Sequence, residues 1–325
     1  MIDATVHERI NAALHFRMTD RLPLCDFLDN ERLFRYFSPE GTIGLAEKAR
    51  AYQELGIDVC WRCERRQVRE SGLRRVIGWW HRRPRSRVLS EAELRAEVED
   101  FRSRQRLFEP RTYLAMNVPG CLSDAVAAVG IADFARRMYS DPFDMERLIE
   151  VFAENLYLRA DALTRDQRGG IFFIRETLAR GREMFFSRHF LEKAWALRIR
   201  KIVDLLHQRD VKVVLHSPGN FMPVVDILVD CGIDGLHPLE AAAGMDWQRL
   251  RQEYSTLVLF TSLDIGTDAL SDVPDVVAAA MTMSAHLVAN RGVFCGSLGD
   301  VTPALGLPRI LAFYTALGEA TVTGL

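Results

Sequence analysis

The sequence predicts a single α/β domain over residues 1–325, folded as a (β/α)8 TIM barrel with an N-terminal helix and a long β2–α2 excursion. Three observations predict it. Eight short apolar runs are spread along the chain, at 22–27, 58–64, 113–118, 171–176, 211–216, 235–240, 257–264 and 293–297. Most of them end in a polar or charged residue. Stretches of helical periodicity separate most of the runs, and nothing between them has the composition of an interdomain linker. In such a barrel the active site gathers where the strands end. The strand-terminal residues are Asp26, Glu64, Asn117, Glu176, His216, Glu240, Asp264 and Ser297.

The elements follow in order. Residues 3–16 form an amphipathic helix with Val6, Ile10, Ala13 and Leu14 on one face, and Asp20-Arg21-Leu22-Pro23 leads into the first strand. The helix over 46–55 is ended by Gly56. After the second strand, ten arginines between Arg62 and Arg87, punctuated by Gly72, Gly78 and Pro84, read as a solvated basic excursion. Ser90 and Glu93 form a capping box for a helix over 90–106. Helices over 122–138 and 141–165 precede strand four, the second opening on Asp141-Pro142. Helices over 187–208, 221–231 (between Asn220 and Gly232), 272–289 and 307–317 complete the alternation.

Composition narrows the function classes. Hydrophobic residues are 48% of the chain, enough for a large core, and no run approaches the ~18 apolar residues of a membrane span. The polar, charged segment 1–11 lacks a secretory signature, so a cytoplasmic protein is expected. A net charge of −2 gives no electrostatic case for nucleic acid. Six scattered cysteines (25, 60, 63, 121, 231 and 295) form no disulfide framework. Cys60-Trp-Arg-Cys63 has CxxC spacing, but within a continuous strand an offset of three places the thiols on opposite faces, which favours a structural reading.

His216-Ser-Pro-Gly-Asn220 ends the fifth strand on a turn that opens a helix, placing an imidazole where it can bind a metal or move protons. Glu176 and Glu240 flank it in strand order and Asp264 follows, so a mixed N/O metal site and an acid/base cluster are both open. His237 ranks lower, because a regular strand turns it away from Glu240. Trp79-Trp80-His81 can stack on a flat ligand or pack on the outer helices. There is no GxxxxGK[ST], GxGxxG or GxSxG motif.

The segment 211–244, VKVVLHSPGNFMPVVDILVDCGIDGLHPLEAAAG, resembles the uroporphyrinogen decarboxylase superfamily, which includes cobalamin- and coenzyme-M-linked methyltransferases. Arg9-Ile-Asn-Ala-Ala-Leu14 with Asp20-Arg21-Leu-Pro23 is similar to its N-terminal signature, and Ser262-Leu-Asp264 falls where many members have Gly-Ile-Asp. Zinc-dependent members show His-x-Cys at strand five and a cysteine after strand eight. Here His216 matches, Pro218 stands at the first thiolate position, and Gly299 falls near the second, with Cys295 four residues earlier. The decarboxylase carries arginines after strand one, where this chain has Cys25-Asp-Phe-Leu-Asp-Asn30. Arg62, Arg65 and Arg175 could partly compensate.

The resemblance implies a methyltransferase-like enzyme that moves a methyl group from a small methoxy or methylamine compound to a corrinoid carrier. The alternatives are a uroporphyrinogen-decarboxylase-type lyase and a non-catalytic tetrapyrrole- or ligand-binding barrel. His216, Glu240, Glu176 and Asp264 are the expected catalytic residues, and Asp26, Glu64, Asn117 and Trp80 the substrate-binding ones. A zinc or other divalent ion would sit on His216 and Glu240. The corrinoid would come on a partner protein, because 325 residues of barrel leave no room for a cobalamin domain. A homodimer is a further expectation; nucleic acid and membrane are not.

Overall fold

The computed structural model describes residues 4–63, 87–266, 270, 272–288, 290–298, 301 and 304–319, with backbone alone at 4 and 288. Glu64, Arg65, Trp79, Trp80, His81, most of the arginine excursion and Gly299 lie outside the described residues. Eleven strands are described: β1 Cys25–Asp26, β2 Val59–Cys60, β3 Tyr113–Leu114, β4 Met116–Pro119, β5 Ile171–Arg175, β6 Ala179–Arg180, β7 Glu183–Met184, β8 Lys212–His216, β9 Gly235–Leu239, β10 Val258–Leu263 and β11 Val293–Ser297. They form a parallel three-stranded sheet, β1-β2-β3, and a parallel six-stranded sheet, β11-β10-β9-β8-β5-β4, with β6 and β7 as a separate antiparallel hairpin. Only Ala115 separates β3 from β4 in the chain. At the other edges, parallel bridges join Leu24 to Cys295 and Leu28 to Val301.

Period-two alternation sorts the strand residues between two cores. Val59, Ala115, Phe173, Val214, Val258, Phe260 and Phe294 pack together with Val6, Ile10, Ala13 and Leu14 of the helix Ala4–Leu14. Their neighbours Cys60, Leu114, Met116, Phe172, Ile174, Val213, Leu215, Leu259 and Cys295 pack on the opposite side, with residues of the flanking helices. Burying each Val or Phe is worth about 1.5–3 kcal/mol, so both faces of the sheets stabilise the fold.

Strand β1 is shorter than its apolar run, and side chains take up backbone N–H groups on both sides of it. Asp58 accepts from Leu24 N, Asp26 from Phe27 N, and the Tyr52 hydroxyl from Leu28 N, at 2.9, 2.8 and 2.6 Å. The helix expected over 122–138 is two helices, Cys121–Val129 and Ile131–Ser140, divided at Gly130, whose φ of 85° ends the first. The helix Glu31–Phe37 was not expected; Asn30 caps it through Leu33 N at 3.1 Å. No helix among the described residues is long and apolar enough to cross a membrane.

Asp58 anchors the N-terminal helix from beneath. It is fully buried and receives Arg9 Nη1 at 2.5 Å and both Arg21 terminal nitrogens at 2.9 Å. Arg9 also clasps Asp20 through two bonds, at 2.7 and 2.6 Å. A buried carboxylate with two guanidiniums and a backbone N–H has its acceptor sites occupied.

Candidate active site

His216 is the last residue of β8, and His237 lies beside it in register on β9. Their Nδ1 atoms are 2.8 Å apart. One Nδ1 must therefore carry the proton and the other a lone pair. Trp61, one residue past β2, stacks on His216 at 4.6 Å and 20° and also lies 4.6 Å from the His237 ring. Phe173 and Phe260 close on His237 edge-on at 5.5 and 5.7 Å. Asn117, on β4, donates to the Trp61 carbonyl at 2.8 Å and so fixes the tryptophan's backbone.

This wall keeps the imidazoles neutral. Burial first, then the charges of Arg175 and Arg62, push His216 down to about 3. Burial and the adjacent His216 hold His237 well below the ordinary imidazole range. The Arg62 guanidinium lies 5.0 Å from the Phe27 ring, and Phe27 meets Trp61 edge-on at 6.3 Å. Two cations, a neutral imidazole pair and an aromatic wall thus meet at the carboxyl ends of parallel strands, the usual place for a site in such a sheet.

His237 was undervalued because β9 is not regular. Leu236 pairs with Leu259, but Leu239 pairs with Thr261, so His237 and Pro238 together face Phe260. This is a β-bulge, and the signal for it was Pro238, which has no N–H for the ladder. The bulge reverses side-chain parity. Leu239 joins the helix-side core, where a regular strand would have turned it to the side of His237.

The remaining expected residues are dispersed. Glu176 is buried at the start of the helix Cys121–Val129, accepting from Leu122 N, Ser123 N and Trp195 Nε1 at 3.2, 2.7 and 2.9 Å. Burial raises its pKa to about 7 against those three donors. Asp26 accepts from Ser297 N, Ser297 Oγ and Tyr314 Oη at 2.6, 2.9 and 2.6 Å, joining β1 to β11 and to the helix Leu307–Glu319. Burial raises it to about 6. Asp264 is exposed and closes a local turn onto Gly266 N at 3.0 Å. Sequence reasoning passed over Trp61, Phe27, Phe173 and Phe260, which no motif marked.

A divalent ion on His216 and Glu240 would have to use His216 Nε2. His216 Nδ1 is engaged by His237, Pro218 offers no ligand atom, and no group of three or more His, Cys, Asp or Glu among the described residues is arranged to hold an ion.

No family model and no curated protein matches the sequence. In structure the chain is similar to a methyltransferase from Methanosarcina mazei, with a TM-score of 0.69 and 18% identity over 98% of this chain and 99% of that one. At that identity the likeness establishes a shared fold.

Proposed function

We propose that the two sheets are one closed (β/α)8 barrel in a single domain, and that the chain is a methyltransferase-like enzyme. It would take a methyl group from a small methoxy or methylamine compound and pass it to a corrinoid carried by another protein. The barrel reading rests on Ala115 linking β3 to β4 and on the Leu24–Cys295 bridge at the opposite edges. The fold shared with a methyltransferase supports the class. The observation that carries the site is the hydrogen-bonded His216–His237 pair beneath Trp61.

Methyl bound to oxygen or nitrogen leaves poorly unless the departing atom gains a proton. The imidazole pair can supply one. A proton entering at Nε2 of one ring passes the Nδ1 proton to the second ring, whose Nε2 proton goes to the leaving atom. His216, the more accessible of the two, faces the substrate in this scheme, and Glu240 feeds the relay. Arg62 and Arg175 favour a substrate bearing a carboxylate, and Trp61 favours a flat one.

The test mixes the protein with a reduced corrinoid carrier and a panel of methoxybenzoates, neutral methoxyarenes and methylamines, following methylcobalamin formation. Transfer fastest from the carboxylated methoxyarenes is expected. The same two arginines would also hold the carboxylates of a decarboxylase substrate. Failure across the panel with decarboxylation of a porphyrinogen moves the assignment to a lyase, and tetrapyrrole binding with no turnover moves it to a binding protein.

A further inference from the structure

The expectation that Cys60 and Cys63 point to opposite faces fails in the structure. Strand β2 ends at Cys60, and both thiols enter the helix-side core, where a side-chain hydrogen bond couples them, while Trp61 between them lies in the opposite core. The Cys60 thiol also reaches the Arg62 carbonyl at 3.2 Å, and the Tyr52 hydroxyl lies against it. Arg104 donates to the Cys63 carbonyl.

We propose that Cys60 and Cys63 are a reversible dithiol–disulfide switch that controls the Trp61-Arg62 dipeptide between them, and with it the candidate active site. The two roles are asymmetric. Cys60 is fully buried, and burial holds its thiol up; Cys63 keeps 9% of its surface exposed. The hydrogen bond from Cys60, then the charges of Arg104 and Lys48, draw the Cys63 thiol down. Cys63 is therefore the attacking sulfur and Cys60 the resolving one. Cys25, Cys121, Cys231 and Cys295 are all buried with raised pKa values, which makes them inert by comparison.

The chemistry balances with a small disulfide such as glutathione disulfide as oxidant. The Cys63 thiolate attacks one sulfur, forming a mixed disulfide and expelling a glutathione thiolate. Cys60 gives its proton to that thiolate and attacks the Cys63 sulfur, expelling the second glutathione. Two protein thiols are oxidised to one disulfide, and one glutathione disulfide is reduced to two thiols. A bonded S–S distance of about 2 Å is much shorter than a thiol hydrogen bond, so closure must re-form the four-residue loop. That loop holds the ring stacked on His216 and the guanidinium over Phe27. The reduced state is the one with Trp61 in place.

The experiment equilibrates the full chain with glutathione buffers of increasing oxidised fraction, blocks free thiols, and maps peptides by mass spectrometry, with circular dichroism to confirm the fold. A Cys60–Cys63 disulfide that forms reversibly while the other four thiols stay reduced is expected. Cys60→Ser should trap glutathione at Cys63, and Cys63→Ser should trap none at Cys60. The absence of a Cys60–Cys63 bridge at every ratio in folded protein would overturn the proposal, and so would equal trapping in the two variants. Neither readout depends on methyl transfer, so failure here is distinct from failure of the assigned reaction.

Discussion

His216, half-buried, and Glu176, fully buried, are both ionisable residues at strand ends, yet the structure gives them opposite work. His216 shares a proton with His237, whereas Glu176 is spent on three donors around a helix start. His216→Ala should therefore lower turnover by roughly 10²–10⁴-fold while the protein still folds. Steady-state rates beside a thermal melt check this, and unchanged turnover in the variant would make His216 structural. For Glu176 the sign follows from its raised pKa. Between about 4.5 and about 7 the unfolded carboxyl is ionised while the folded one keeps its proton. The unfolded state then binds fewer protons, and stability falls as pH rises through that window. The neutral histidines act the other way, costing stability as pH falls below about 6.5, so the wild-type profile is a difference of the two. Glu176→Gln separates them. The stability of wild type minus variant should decline by up to about 3 kcal/mol from pH 4.5 to 7, at about 1.4 per pH unit. Urea melts across that range measure it, and a flat difference would mean that Glu176 is ionised in the folded protein.

At the scale of elements, the α/β alternation and the strand-end residues were legible because they depend on periodicity, which a sequence carries directly. What escaped depends on local exceptions to periodicity. The Pro238 bulge turned Leu239 into the helix-side core, and Cys60 and Cys63 meet there although a continuous strand would part them. The aromatic wall was illegible for another reason: Phe27, Trp61, Phe173 and Phe260 come from four separate strand segments and meet only in the fold. The pairing of β1 with β11 also rests on a detail no pattern marks. A Cβ at Gly296 would overlap the Cys25 carbonyl and press on Asp26. Gly296→Ala should thus destabilise the protein by roughly 1–3 kcal/mol, seen as a lower midpoint in thermal denaturation. A wild-type midpoint would show that the two strands are not so closely apposed.

For the whole molecule, the helix Ala4–Leu14 and the inner core depend on one charged hub. Arg9 and Arg21 both end on Asp58, and the apolar face of the helix packs against strand residues drawn from both sheets. Asp58→Ala would leave Arg21 without a carboxylate, Arg9 with Asp20 alone, and the Leu24 N–H without its acceptor. The expected cost is roughly 3–5 kcal/mol, the usual penalty for removing one partner of a buried ion pair. Chemical denaturation tests it, and a loss under about 1 kcal/mol would show that the hub is dispensable.

The pairing of Asp26 with Ser297 and Tyr314 spans 271 and 288 residues of chain. During synthesis β1 is made long before the strand that will cover its outer edge. Open strand edges are where growing chains stick to one another, and charge on such an edge discourages it. Asp26 supplies that charge while it is still in water. Only when β11 and the helix Leu307–Glu319 arrive does the carboxylate become buried, with its pKa raised to about 6 and its oxygens taken by Ser297 and Tyr314. The same side chain that carries charge on an open edge thus becomes the link between β1, β11 and the helix Leu307–Glu319.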